Sequence, residues 1–265
     1  MTAPARPVAL TIAGSDPSGG AGIQGDLKTF AACGVYGAAA IAALTVQNTQ
    51  GVTDAVGVEP SFVAAQVTAV LDDLPVGAIK TGMLFDAGII EAVATVLAGR
   101  GEIPLVVDPV MVSTSGHRLL KPDAVEAIRT RLLPLATIVT PNGPEAFDLT
   151  GVVVTDEESM RKAAEKIAAM GPQGVVIKGG HHRQGSSAID LLLFDGVFSR
   201  FERPWIETPY THGSGCAFAS AITAGLAKGL TVPDAVAEAE AFIGKAIASA
   251  YRIGLGINSP VNHFS

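Results

Sequence analysis

Val8-Ala9-Leu10-Thr11-Ile12-Ala13-Gly14-Ser15-Asp16 sets how the rest of the chain is read. Its first part is a short, nearly apolar run of strand length, and a hydroxyl and a carboxylate stand where that strand ends. The same construction returns along the sequence. Gly82-Met83 follows an apolar run over 76–81. Asp108-Pro109 follows Leu105-Val106-Val107, Pro141-Asn142 follows a run over 137–140, and Gly179-Gly180-His181 follows one over 174–178. Helical patterns separate these runs over 20–33, 62–71, 87–98, 123–133 and 157–170. A further buried strand is expected over 36–45.

Strand alternating with helix predicts a mainly parallel sheet covered on both faces, an α/β fold in three layers. Asp195-Gly196 between apolar runs over 187–194 and 197–202 predicts a hairpin, so antiparallel edge strands are expected. Helices over 214–228 and 233–251 close the chain. No linker or repeat interrupts it, and 1–265 reads as one domain. In an open α/β sheet, ligands sit beyond the carboxyl ends of the strands. The polar exits therefore predict one site along one sheet edge.

Thr211-His212-Gly213-Ser214-Gly215-Cys216 runs directly into a small-residue helical stretch. A glycine turn opening a helix presents free amides and the positive end of the helix dipole, which suits a phosphate or an oxyanion. The plainer reading is a loop whose glycines serve packing. Cys216 beside His212 offers an activated thiolate, able to attack an acyl group or to take a proton from a hydroxyl; the alternative is a small packed cysteine. Asn142-Gly143-Pro144-Glu145 reads as a helix-capping box, or as a carboxylate able to hold magnesium through water and phosphate. Lys178 at a strand end needs an anion, and phosphate is a candidate. Gly20-Ala21-Gly22-Ile23-Gln24-Gly25 has dinucleotide-type glycines, but loop intervenes after the strand and no acid ends the second strand. The reading preferred there is a loop covering a small ligand. No phosphate-loop motif of the Gly-Lys-Ser/Thr kind occurs, and His181-His182 lack the spacing of a zinc site.

The chain has 265 residues, 48% hydrophobic and 16% charged, with a net charge of −7. That charge argues against nucleic acid and anionic membrane as partners. Two cysteines, Cys33 and Cys216, cannot build a disulfide framework, so a cytoplasmic setting is expected. The N-terminal apolar run is too brief for a signal peptide, and the weakly polar run over 34–46 is shorter than the ~18 residues of a membrane span.

Several motifs together make the chain resemble the hydroxymethylpyrimidine/phosphomethylpyrimidine kinases of thiamine biosynthesis, in the ribokinase-like superfamily. These are Ile12-Ala13-Gly14-Ser15-Asp16-Pro17-Ser18-Gly19-Gly20-Ala21-Gly22-Ile23-Gln24, Gln47-Asn48-Thr49, Lys80-Thr81-Gly82-Met83-Leu84, Asp108-Pro109-Val110-Met111, Thr140-Pro141-Asn142-Gly143-Pro144-Glu145, Lys178-Gly179-Gly180-His181 and His212-Gly213-Ser214-Gly215-Cys216. The resemblance implies a ribokinase-like α/β/α sandwich that moves the ATP γ-phosphoryl group to the substrate hydroxymethyl, and then phosphorylates the monophosphate. It implies a substrate pocket of Gln47, Gly14, Asp26, Met83, Val110 and His212. Lys178 and Asp108 would meet ATP phosphates, and Asn142 and Glu145 would hold magnesium. The amides of Gly213, Ser214, Gly215 and Cys216 would cradle the transferred group, with Cys216 facing the acceptor hydroxyl.

Two positions depart from the family. Ser214 stands where threonine is frequent, and Glu240 is nearest to a lysine that usually contacts the nucleotide, with Lys245 as a possible substitute. A homodimer is expected, since alanine- and glycine-rich helices leave room for an interface. The rival readings are a pyridoxal/pyridoxine kinase, a Cys216–His212 hydrolase, and a pyrimidine sensor without catalysis.

Overall fold

The computed structural model describes residues 6–111, 120, 123–180 and 186–265. Among these residues nine strands form one sheet in the order β3-β2-β1-β4-β5-β6-β7-β8-β9. They are β1 (Val8–Ser15), β2 (Tyr36–Asn48), β3 (Gly51–Gly57), β4 (Val76–Thr81), β5 (Leu105–Val107), β6 (Ile138–Val139), β7 (Gly174–Ile177), β8 (Ser187–Phe194) and β9 (Val197–Pro204). The run from β2 through β1, β4, β5 and β6 to β7 is parallel. The β2–β3, β7–β8 and β8–β9 pairs are antiparallel.

The helices are α1 (Gly22–Ala32), α2 (Pro60–Asp73), α3 (Ala87–Ala98), α4 (Ala124–Ala127), α5 (Gly143–Thr150), α6 (Glu157–Ala168), α7 (Ser214–Ala227) and α8 (Val232–Ala248). Strand side chains alternate between two cores, as the period of two requires. Val107, Val139, Val175 and Leu191 pack with α2, α3 and α6 on one face. Val106, Ile138, Val176 and Leu192 pack with α7 and α8 on the other. The result is the expected α/β/α sandwich.

Asp195 and Gly196 take φ of 50° and 74°, the left-handed pair that a tight hairpin needs, and Phe194 pairs with Val197. The other sheet edge differs from expectation. β2 continues to Asn48 and folds back as β3, a strand that polar Thr53 and Asp54 conceal in the sequence, and much of β2 is half-exposed rather than buried. The helix expected over 123–133 also changes form. α4 passes into a π-helical turn, Ile128–Leu132, and a 3₁₀ turn, Leu133–Leu135. Pro134 lacks the N–H that a continuing α-helix would use.

Candidate active site

The strand exits meet at one cavity of about 630 Å³, within the range of small-molecule sites. Gly14, Ser15 and Asp16 come from the end of β1, and Lys80, Gly82 and Met83 from the end of β4. Asp108 follows β5, Asn142 follows β6, and Lys178 and Gly180 follow β7. The N-terminus of α7 closes the floor with Gly213, Ser214, Gly215 and Cys216. His181 and His182 lie outside the described residues.

The turn into α7 depends on Gly213. Its φ is +76°, and a Cβ there would lie 1.8 Å from the Gly20 carbonyl oxygen. Gly213 therefore serves both backbone conformation and close approach. No side chain caps α7. The Ser214 amide donates to the Thr211 carbonyl at 3.1 Å, so it is spent within the turn. This narrows the expected cradle: Gly215 and Cys216 keep amides at the helix start that no carbonyl of the helix can accept.

Cys216 Sγ receives the Gly22 N–H at the start of α1. Burial nevertheless pushes the thiol up to about 12; Lys80 works against that rise, while Asp108 and Asp26 add to it. This corrects the expectation of a thiol activated by the helix terminus. Loss of hydration at the cavity floor outweighs the dipole, and the resting thiol is protonated at neutral pH. His212 is not its partner. Nε2 of His212 lies 2.9 Å from Asp16 Oδ2, which fixes the ring away from a role as thiol base. The Cys–His hydrolase reading loses its dyad.

Asp16 is a cornerstone that sequence reasoning left without a role. Besides His212, it accepts from the amides of Ser18, Gly20 and Ala21. Burial raises its carboxyl, but the His212 and Ser18 hydrogen bonds hold it below the usual carboxylate value. Gln47 Nε2 stands 3.4 Å from the same His212 nitrogen. That nitrogen already donates to Asp16, so the Gln47 amide keeps its donors for a ligand. Gln47, Gly14, Met83, Val110 and His212 all line the cavity. A Cβ on Gly14 would come within 2.4 Å of Met83 Cε, so only glycine leaves the Met83 side chain its place.

Asp26 is a correction. It is fully buried behind the cavity wall and does not line it. Its oxygens accept from Thr11, Lys80 and Ser220 at 2.6, 2.8 and 2.7 Å.

On the opposite side, Lys178 Nζ sits 3.0 Å from Asp108 Oδ1 and 3.9 Å from Glu145 Oε2. The capping box is real: Asn142 Oδ1 accepts from the Glu145 amide at 2.9 Å, and Glu145 Oε2 from the Asn142 amide at 2.7 Å. Capping and ligand readings therefore coincide at one place. Burial raises Glu145 to about 7, with Lys178 opposing and Asp108 reinforcing the rise. Asp108 Oδ2 is buried with no hydrogen-bond partner among the described residues. Among the described residues no group of three or more His, Cys, Asp or Glu could ligate a metal directly. The oxygen donors of Asn142 and Glu145 do fit a magnesium ion that keeps waters and substrate phosphates, with Asp108 Oδ2 free to accept from such a water.

The sequence profile of the phosphomethylpyrimidine kinases matches residues 16–262. The chain belongs to the phosphomethylpyrimidine kinase family. A hydroxymethylpyrimidine/phosphomethylpyrimidine kinase of Streptomyces coelicolor is 48% identical over 268 residues, covering 99% of this chain and 98% of its own. A bifunctional thiamine biosynthesis protein of Geobacter sulfurreducens is 49% identical over 254 residues, covering 96% of this chain. The chain spans 51% of that longer protein. Among solved structures, the pyridoxal kinase of Bacillus subtilis in its ADP complex superposes with a TM-score of 0.90 at 39% identity, over 98% of both chains. A phosphomethylpyrimidine kinase of Clostridium difficile gives 0.80 at 42%, over 91% of this chain and 99% of its own. The fold is ribokinase-like.

Within this family member, the far end of the cavity is built from parts that sequence reasoning missed. Asp190 of β8 and Arg203 of β9 line it beside Trp205 and Ile243. Asp190 Oδ1 accepts from the Gly179 amide at 2.7 Å and so fixes the turn after Lys178. Glu240 does not enter the cavity as a lysine substitute would; its Oε2 faces Arg203 Nε at 3.4 Å. Burial, with Asp190 adding to it and Arg203 opposing, raises Glu240 to about 9. A charged residue inside an apolar strand, as at Asp190 and Lys80, is the signal that would have found these groups.

Proposed function

We propose that this cavity phosphorylates 4-amino-5-hydroxymethyl-2-methylpyrimidine with ATP, and then phosphorylates the monophosphate to the diphosphate, as a step of thiamine biosynthesis. The observation that carries this reading is one cavity joining a heteroaromatic pocket to a lysine-flanked helix N-terminus. Gln47 hydrogen-bonds the pyrimidine edge, and Met83 and Val110 pack on the ring. Gly14 and His212 complete the pocket. Asp16 acts through His212, holding its ring in place.

Lys178 reaches the phosphates beside the turn; a Cβ on Gly215 would lie 3.2 Å from Lys178 Nζ, so the ammonium and the cradle meet. Asp108 positions Lys178. The amides of Gly215 and Cys216 accept the charge of the moving phosphoryl group, each donor being worth roughly 3 kcal/mol by comparison with other oxyanion holes. The substrate hydroxyl oxygen forms the new P–O bond and the bond to ADP breaks; Cys216, which rests as a thiol, first gives its own proton to water, and its thiolate Sγ then takes the hydroxyl proton. Asn142 and Glu145 would hold magnesium, which when bound neutralises phosphate charge.

The unbroken sheet supports 1–265 as one kinase domain, and two free thiols suit the cytoplasm. No described helix is long and apolar enough to cross a membrane. We assign a homodimer to the β2–β3 edge, where Leu44 lies opposite Val56 and both are exposed beside Val46.

ATP consumption with the hydroxymethylpyrimidine and then with its monophosphate tests the proposal. Turnover of both is expected, and turnover of neither would sink it. Tight pyrimidine binding without phosphate transfer would instead identify a sensor. Pyridoxal is the second substrate to compare, because the chain superposes so closely on a pyridoxal kinase.

A further inference from the structure

Lys80 has no role in the site just described, yet it is a cation in the wall. It is fully buried, and it lines the same cavity as Cys216. Its ammonium gives one hydrogen bond among the described residues, to Asp26 Oδ1 at 2.8 Å. An ammonium has three donors, so this bond leaves two unused. The wall is thin at this point: a Cβ on Gly82 would stand 3.3 Å from Lys80 Nζ, so glycine lets the buried ammonium lie close behind the cavity wall.

Asp26 links this lysine to the catalytic helix. The oxygen that accepts from Lys80 also accepts from Ser220 Oγ at 2.7 Å. Ser220 is four residues after Cys216 on α7, so the two side chains stack on one helix face. Lys80 therefore meets α7 one turn below the thiol. The other oxygen of Asp26 accepts from Thr11 at 2.6 Å, which ties the cluster to β1. A buried ion pair contributes little net stability after desolvation. Its placement under the reacting end of α7 calls for another explanation.

We propose that Lys80, held by Asp26, is the cation that stabilises the thiolate form of Cys216, the form that then takes the proton of the acceptor hydroxyl. This rests on the reading of Cys216 as proton acceptor and adds the group that makes it workable. The charges facing Cys216 are Lys80 from β4, Lys178 beyond β7, Asp108 beyond β5 and Asp26 from α1. Lys178 lies between two carboxylates, 3.0 Å from Asp108 and 3.9 Å from Glu145, whereas Lys80 pairs with Asp26 alone among the described residues. Lys80 is a positioning residue that acts through the thiol.

Lys80→Met alone would strand a buried carboxylate, so the test uses the double variant Asp26→Asn/Lys80→Met, which removes both charges together. Alkylation of Cys216 by iodoacetamide at pH 8 is followed by peptide mass spectrometry, which separates it from Cys33. The double variant is expected to react about tenfold more slowly than wild type, the effect of a one-unit rise in thiol pKa. The single variant Asp26→Asn, which keeps the cation and removes its counter-charge, is expected to react faster. Equal rates in wild type and double variant would overturn the proposal. Slow alkylation with an unchanged kcat would uphold the thiolate–lysine contact and instead remove Cys216 as proton acceptor.

Discussion

Cys216 sits against two helix starts, Gly22 of α1 and its own α7, and still rests as a thiol. Cys216→Ser should therefore cost far more in rate than in binding. We expect kcat to fall ~100-fold or more, the scale of a lost general base, while pyrimidine affinity by calorimetry stays nearly unchanged. Equal losses in both would make Cys216 a packing residue. His263 gives a pH prediction. Burial lowers its imidazole to about 4, and the charges of Lys28 and His212 push the same way. In the unfolded chain it titrates near ~6.5, so between those values only the unfolded chain binds the proton. Stability is thus complete above ~6.5 and declines as pH falls towards 4, by up to ~3 kcal/mol. Urea titrations at pH 7 and pH 4.5 should show this loss, and His263→Gln should flatten it. At this scale the sequence revealed the chemistry-bearing residues better than their partners. Asp26 and Ser220 are 194 positions apart, and Asp26 and Lys80 are 54 apart. No local spacing could place Asp26 behind the wall rather than in the pocket.

The turn into α7 is the element on which the proposed catalysis depends. Gly213→Ala should remove activity almost entirely, because the new methyl would collide with the Gly20 carbonyl at a φ of +76°. α3 provides the contrast. Its N-cap Asp86 accepts from the Ile89 amide at 3.0 Å, away from the cavity lining. Asp86→Ala should cost ~1 kcal/mol in denaturant stability and leave kcat unchanged. Elements were legible wherever a pattern had one cause. The buried strands β4 to β7 are short apolar runs with polar exits, and Asp195-Gly196 permits little besides a hairpin. β3 was hidden because an edge strand with one solvated face has little hydrophobic pattern. The helix expected over 123–133 is helical in place, but its winding changes after Ala127, which no apolar pattern announces.

The whole molecule gathers one chemistry on one sheet edge and leaves an apolar face at the other. Leu44, Val46 and Val56 are 48%, 61% and 59% exposed, and the tail that bonds Thr49 at the hairpin tip carries exposed Leu255 and Ile257. If the proposed dimer forms at this edge, wild type sediments as a dimer and Leu44→Asp/Val56→Asp as a monomer; equal masses for the two would contradict that assignment. The α/β/α architecture and the site edge were readable from alternation alone, whereas the choice between two heteroaromatic rings was not, since both carry a hydroxymethyl group. The decisive measurement is kcat/KM for the hydroxymethylpyrimidine and for pyridoxal on one preparation with ATP and magnesium. A higher value for the pyrimidine is predicted; a higher value for pyridoxal would contradict the account.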